Sequence, residues 1–447
     1  MLPGSSANGV QVPGPNGVQV PGANGVQVPG ANGVQVPGAN GSLVPGARSR
    51  RLPHTAAFAA VTAIFVLFAA ASSAPSPLYV VYQQQWGFSA TTLTVVFAVY
   101  VLGLIASLLV LGALSDHVGR RPVLAAAIAL EAVALVLFIT AGDLTVLLLA
   151  RLVQGVATGA ALTTLAATLA DLNPPHSPGR AGVVNGVAPA TGLALGALGC
   201  GALVQFAPAP TRLVYVLLLG GMVLAGLVVA VMPETSARRP GGLASLMPRL
   251  GVPARLRPDV YALVPILVAS WALGGLYLSL GPSVAASIFG LGSHLIGGLV
   301  VTLLCGTAAV TAFVLRGWPA DRVLSTAGAL LAAGTALTLA GVQAHTVALA
   351  GVGTVIAGVG FGASVLACFG RLARLAAPAE RGELFAVAYV IAYLAFSLPA
   401  VLAGFASTSI GLHATAVAYS LGVIALGLTA LAAQRRRSAA AAAVASC

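Results

Sequence analysis

The chain has 447 residues, of which 58% are hydrophobic and only 7% charged. Soluble domains carry about a quarter charged residues, so this composition excludes an ordinary soluble enzyme and points to a chain that lies mostly in hydrocarbon. The net charge of +12 comes from 21 basic residues, all of them arginine. They fall between apolar runs, which argues for membrane topology and against nucleic-acid binding.

Arginine-only usage with abundant Ala and Gly suggests a high-GC bacterial genome. Cys200, Cys305, Cys368 and Cys447 are far apart and lack CxxC or Cys/His spacing. Neither a disulfide framework nor a metal site is expected from them.

Residues 8–41 repeat with a period of eight, Asn-Gly-Val-Gln-Val-Pro-Gly beginning at Asn8, Asn16, Asn24 and Asn32. Pro-Gly and Asn-Gly favour turns, and no window is apolar enough to span a bilayer. The stretch lacks the basic and apolar regions of a signal peptide. Residues 1–54 are read as a disordered arm: a flexible tether or binding arm, or else an expanded 24-nucleotide repeat or the result of a start codon assigned too early.

From residue 55 apolar runs of about 20 residues follow one another, each able to cross ~30 Å of hydrocarbon. They predict spans near 56–80, 90–113, 122–141, 144–170, 181–206 and 212–232, then 259–282, 292–315, 323–342, 346–369, 384–406 and 413–433. The expected fold is an all-α membrane protein with twelve transmembrane helices in two six-helix bundles, 55–233 and 259–434. A cytoplasmic linker, 234–258, joins them, and a tail, 435–447, follows. Arginines cluster at 48–51, after the even-numbered spans and at 435–437, whereas Asp143 and Arg212 are the charges near the opposite face. The positive-inside rule then places both termini in the cytoplasm, with the chain in a bacterial cytoplasmic membrane.

The halves echo each other. Gly112-x-x-x-Asp116 follows span 2 and Gly317-Trp-Pro-Ala-Asp321-Arg322 follows span 8; Gly155-x-x-x-Gly159 in span 4 is matched by Gly358-x-x-x-Gly362 in span 10. Two halves in one orientation imply a parallel repeat. The second copy lacks the Gly119-Arg120-Arg121 portion and any charge matching Arg151.

Twelve spans, a long middle loop and Gly112-x-Leu-Ser-Asp116-x-x-Gly119-Arg120-Arg121 resemble the major facilitator superfamily, whose signature joins helices 2 and 3. The glycines would let the chain turn tightly, and Asp116 could accept hydrogen bonds from a helix N-terminus. Arg120 and Arg121 could pair with Asp116 or lipid phosphate. The resemblance implies that this loop latches the two halves together in the outward-facing state. Arg151-Leu-Val-Gln154-Gly155-x-x-x-Gly159 is similar to a second signature of the superfamily, and implies that Arg151 takes part in proton transfer or substrate binding. The alternative is an arginine snorkelling to the outer interface.

Glu131 lies in the middle of span 3, a carboxyl that can carry a proton or act as counter-ion to Arg151. Many members of the superfamily place their acidic residue in helix 1 or 4, and span 1 has none. In span 5, Gly186-Val-Ala-Pro189-Ala-Thr-Gly192-x-x-x-Gly196 partly resembles the antiporter signature, although small residues at this spacing also serve plain packing. Pro75 and Pro77 interrupt span 1 beside Tyr79 and Tyr82, which line a cavity or belong to the interfacial belt. Trp271, Tyr277, Tyr389 and Tyr393 bring polar-tipped aromatics towards mid-membrane, and with Tyr79 and Gln154 they form the candidate substrate site for a lipophilic or weakly polar molecule.

No Walker A, HExxH or CxxC motif is present. The expectation is a monomeric, cofactor-free secondary transporter in the lipid bilayer, driven by a proton gradient and exporting small organic or drug-like molecules. A sugar or other metabolite transporter and a non-transporting membrane sensor are the alternatives.

Overall fold

The computed structural model describes residues 52–445 apart from 175, 178, 239, 248–249 and 378–379. The octapeptide arm, the arginines at 48–51, Arg239, Arg249 and Cys447 lie outside the described residues. Among the described residues twelve helices are long and apolar enough to cross a membrane: α1 (His54–Trp86), α2 (Ala90–Leu111), α3 (Arg120–Thr140), α4 (Leu144–Asp171), α5 (Arg180–Phe206), α6 (Leu213–Val231), α7 (Ala254–Ser279), α8 (His294–Gly317), α9 (Ala320–Gln343), α10 (Val347–Leu375), α11 (Arg381–Ser409) and α12 (Leu412–Arg437). Their hydrophobic windows have mean hydropathies of 1.6 to 2.7, and lipid offers no water to satisfy a non-helical backbone, so these runs must be helical.

Several helices outrun the expected spans because polar residues at headgroup level end a hydropathy window without ending a helix. α1 continues through Gln83–Gln85 to Trp86 and is divided at Ala74 into His54–Ser73 and Pro75–Trp86. The seventh span, predicted to reach 282, stops at Ser279, and a separate short helix, Gly281–Ile288, follows. The last helix continues to Ala445 through most of the expected tail, consistent with the strong helix propensity of its alanine run.

The repeat read from the sequence is present in the packing. Gly155 and Gly159 of α4 press against the backbone of α2 at Tyr100 and Leu104, where a Cβ would collide. Gly358 and Gly362 of α10 press on α8 at Leu304 and Ala308 in the same way. Without a hydrophobic force between helices in lipid, such close backbone approach is a main source of helix association.

The halves meet through α5 with α8 and α2 with α11. Gly201 packs on His294 and Gly298, Gln205 accepts hydrogen bonds from Ser293 Oγ and His294 N at 3.2 Å, and Thr91 Oγ1 donates to Gly404 O at 3.0 Å. All of these lie towards the end of the bundle opposite the 112–121 turn, here called the far end; the other is the signature end. Trp271 and Tyr419 pack against the cores of both halves.

Candidate functional site

The interruption of α1 follows from its prolines. Pro75 and Pro77 have no N–H, so the carbonyls four residues earlier, Ala71 and Ser73, lack helical donors. A freed carbonyl in hydrocarbon needs another partner. α4 supplies one: Gln154 Nε2 donates to Ala71 O at 3.1 Å, and Arg151 Nη1 donates to the neighbouring Ser72 O at 3.2 Å.

Arg151 is 1% exposed, which excludes the snorkelling alternative. Its Nε donates to Tyr79 Oη at 2.8 Å, its Nη2 bonds the same hydroxyl, and its Nη1 donates to Gln154 Oε1 at 2.6 Å. The guanidinium also lies 5.2 Å from the ring centres of Tyr79 and Tyr100 and 5.8 Å from that of Phe138. Desolvated cation–π contacts of this kind contribute up to about 2 kcal/mol each.

Glu131 is completely buried. Gln154 Nε2 donates to its Oε1 at 3.0 Å, while Oε2 has no hydrogen-bond partner among the described residues. Helices α3 and α4 therefore bring Glu131 and Arg151 to the same amide without pairing them directly. The order is Glu131–Gln154–Arg151–Tyr79, anchored on the broken segment of α1.

Tyr79 and Tyr82 are both buried, so neither is a belt residue. The other aromatics form a wall. Trp271 meets Tyr393 edge-on at 4.8 Å and Phe396 at 5.8 Å; Phe396 meets Phe97 of α2 at 5.0 Å. Along α11 the wall continues through Tyr389, 6.3 Å from Tyr393, to Phe369 of α10 and Phe385. Trp271 Nε1 is buried without a partner among the described residues. Tyr277 stands apart, bonded to Thr354 Oγ1 at 2.7 Å.

The signature loop differs in detail from the expectation. Gly112 has ordinary helical angles (φ −56, ψ −39), and the turn is made by Gly119 at φ 117, ψ 151. That region is open essentially to glycine alone, and a Cβ there would also lie 2.7 Å from Glu234 Oε2. The N-terminus of α3 is capped by Glu234, not Asp116: Arg120 N and Arg121 N donate to its carboxylate at 2.8 and 3.2 Å. Asp116 pairs with Arg120 at 2.5 Å, and Arg120 also binds Asp171 at 3.1 Å and Ser115 Oγ at 2.6 Å. Arg121 turns to the carbonyls of Val229 and Ala230 at 3.1 and 2.5 Å, where cations complement a helix C-terminus. These partners all belong to the N-terminal half or the start of the linker.

The helix 5 glycines divide their work. Gly192 and Gly196 pack on α1 at Val66–Ala70 and Ser73, whereas Gly201 faces α8. Pro189 lies inside α5. Pro233-Glu234-Thr235 at the end of the sixth span reads from the sequence as structural, without the cap that Glu234 makes; Asp171, Tyr100, Phe97 and Phe396 were missed. The available signal was that Pro75 and Pro77 free carbonyls that buried donors must find.

The sequence matches the Major Facilitator Superfamily over residues 61–396. The chain belongs to that superfamily. A triacylglyceride transporter of Mycolicibacterium smegmatis is 41% identical over 88 residues, and one of Mycobacteroides abscessus is 45% identical over 73. These matches cover 20% and 16% of this chain and only 15% and 14% of the relatives' lengths.

Among solved structures, the human organic anion transporter MFSD10 is similar with a TM-score of 0.64 at 18% identity, covering 85% of this chain and all of that one. A bacterial homolog of the human lysosomal transporter Spinster gives 0.67 at 14% identity, covering 86% and 97%. At such identities the likeness establishes the fold. The chain is thus a multi-pass membrane protein of a superfamily of transporters.

Proposed function

We propose that this superfamily member is a secondary active transporter that exchanges protons for a lipophilic or weakly polar organic molecule, which it exports by alternating access. The observation that carries the reading is a buried carboxyl, Glu131, with one oxygen unpartnered and the other linked through Gln154 to a buried arginine. An ionisable pair inside hydrocarbon has to have a use that offsets its desolvation.

The described arginines lie mostly at the signature end, with Arg212 alone at the far end, which supports a cytoplasmic signature end. The halves packed at the far end then make this the conformation that opens inward. The latch role of the 112–121 loop belongs to the opposite state, in which its cytoplasmic surface would meet the second half.

With its proton, Glu131 is a neutral partner for Gln154. Once the proton leaves, the carboxylate attracts the Arg151 guanidinium about one side chain away. Closing that gap withdraws Arg151 and Gln154 from Ser72 O and Ala71 O. Proton release is thereby tied to the break in α1, the helix that packs on α5 at Gly192 and Gly196.

The aromatic wall, with Trp271 Nε1 as an unspent donor, suits a molecule with a large apolar surface and a few acceptor atoms. The triacylglyceride transporter relatives favour an acyl-chain-bearing substrate among such molecules. The test is proteoliposome transport under an imposed pH gradient, scanned over dyes, antibiotics, sugars and acylglycerols. Gradient-driven movement of the lipophilic probes supports the proposal; movement of sugars alone would return the chain to the metabolite reading.

A further inference from the structure

The linker between the halves is a strap with a foot on each of them at the signature end. On the first half, Ser236 Oγ donates to Asp116 O at 3.2 Å, and His117 Nδ1 lies 3.1 Å from Pro240 O. On the second, Arg255 pairs with Glu380 just before α11. Gly251 lies so close to Glu383 of α11 that a Cβ would stand 2.6 Å from its Oε2. Between these feet Gly241, at φ 97, turns the chain into a short 3-10 helix, Ala244–Leu246. That turn packs on the end of α2 and on residues 114–118. Ser245 Oγ closes it by donating to Gly242 O at 2.7 Å.

The strap also carries large apolar side chains that nothing covers. Leu243 is 86% exposed, Met247 75% and Leu250 51%. Apolar surface left open in this way marks a contact site. The strap lies level with the helix ends, where Tyr261 of α7 and Trp318 after α8 are exposed too. Aromatics of this kind mark the headgroup level of a membrane.

The charge of the segment decides between occupants. Residues 235–258 hold Arg238, Arg239, Arg249, Arg255 and Arg257 and no Asp or Glu. A second copy of the chain would bring the same arginines against these, a like-charge contact. An anionic leaflet offers phosphate to the arginines and acyl chains to the three apolar residues.

We infer that the strap docks on the anionic lipid of the signature-end leaflet, with Leu243, Met247 and Leu250 at the acyl boundary and the exposed Arg238, Arg255 and Arg257 among the headgroup phosphates. The inference goes beyond the proton-exchange reading and does not depend on it. Because the strap's feet stand on both halves, lipid that holds it acts on the end at which they part.

The test uses the full-length protein in lipid. With Met247→Cys and Cys447→Ser, a nitrobenzoxadiazole label goes to one site, since Cys200, Cys305 and Cys368 are buried. The labelled protein is placed in nanodiscs of phosphatidylcholine alone, or of phosphatidylcholine mixed with phosphatidylglycerol. Both contain a doxyl-bearing lipid that quenches the label on contact. Quenching should be at least about threefold stronger with phosphatidylglycerol. It should return to the neutral-disc value at high salt or in Arg238→Gln/Arg257→Gln.

Spin labels at Gly179→Cys and Gly317→Cys then read the parting of the halves. Both glycines are exposed, with open space where a Cβ would stand. Phosphatidylglycerol should raise the long-distance population at least about twofold, and not in Leu243→Ser/Met247→Ser.

Equal quenching in the two discs, or a label open to acrylamide and unquenched in both, overturns the docking. A label shielded equally in lipid-free detergent, on particles of doubled mass, overturns it in favour of a second copy. A long-distance population indifferent to phosphatidylglycerol overturns the strap's hold on the opening. Each of these outcomes leaves proton exchange standing.

Discussion

Four residues before the first glycine of the packing pair, α4 carries Arg151 and α10 carries Thr354. Each bonds a tyrosine from the first helix of its own half: Arg151 to Tyr79, Thr354 to Tyr277. One residue before that glycine, α4 carries Gln154, which holds Glu131 of α3. At the same place α10 carries Ala357, against which Gly334 of α9 packs so closely that a Cβ would collide with its backbone.

The two halves thus share a scaffold and fill it differently. Where α3 and α4 are held apart by a carboxyl and an amide, α9 and α10 close on each other through small residues at Gly334, Gly341, Gly353 and Gly360. The buried charge lies in one half, and the other contributes most of the aromatic wall through Trp271, Phe369, Tyr389, Tyr393 and Phe396.

Converting the first half towards the second breaks the comparison hardest. Arg151→Thr, or Arg151→Ala, leaves Gln154, Tyr79 and the α1 carbonyls without their donor. Transport should fall more than about 100-fold, with a stability loss on the order of 3 kcal/mol, because one member of a buried hydrogen-bonded set has been removed. Transport assays and thermal unfolding in detergent read both effects. Unchanged transport in Arg151→Thr would show that the two halves differ in composition and not in role.

Glu131→Gln is isosteric and keeps an acceptor for Gln154. Proton-driven transport should fall about 100-fold while substrate counterflow without a gradient persists, with little change in melting temperature. Loss of both activities would make Glu131 structural.

The signature loops of the two halves differ in their ion pairs. Asp321 is not an orphan: it pairs with Arg371 of α10, which also reaches Asp259 at 3.3 Å. Its side chain is 74% exposed, whereas Asp116 is 46% exposed and holds Arg120 together with Asp171. Asp116→Asn should slow turnover about tenfold, and Asp321→Asn less than about twofold, since exposed ion pairs contribute little. Equal rates for the two variants would reduce Asp116 to a topological marker.

The smallest effects are expected on the aromatic wall. Trp271→Phe keeps the ring and removes the unpartnered N–H, so KM for an acceptor-bearing substrate should rise by a few-fold at constant kcat. Thr354→Val should cost about 1 kcal/mol of stability through Tyr277 and leave transport intact.

Much of the architecture was legible in the sequence because hydrocarbon leaves the backbone few options other than the helix. The repeat was legible because Gly155/Gly159 and Gly358/Gly362 serve the same backbone contact. Details of the loop were not: Glu234 lies 114 positions beyond the helix end it caps, and nothing local distinguishes its cap from the one expected of Asp116. The interior network was half legible. Glu131, Arg151 and Gln154 stood out as polar residues in apolar spans, but their order depended on α1 carbonyls whose availability only Pro75 and Pro77 announced. The aromatic wall was read from Trp271, Tyr389 and Tyr393, while Phe97 and Phe396 gave no sign, since phenylalanine in a membrane helix is ordinarily lipid-facing or packing.

The central claim is that the charge of the first half moves a proton for each cycle of the whole. The most direct measurement is proton uptake by a pyranine-loaded proteoliposome when a lipophilic substrate found in the gradient screen is added, compared between the wild type and Glu131→Gln. The account predicts substrate-induced proton movement in the wild type and none in Glu131→Gln, with counterflow retained in both. Equal proton movement in the two proteins would contradict it.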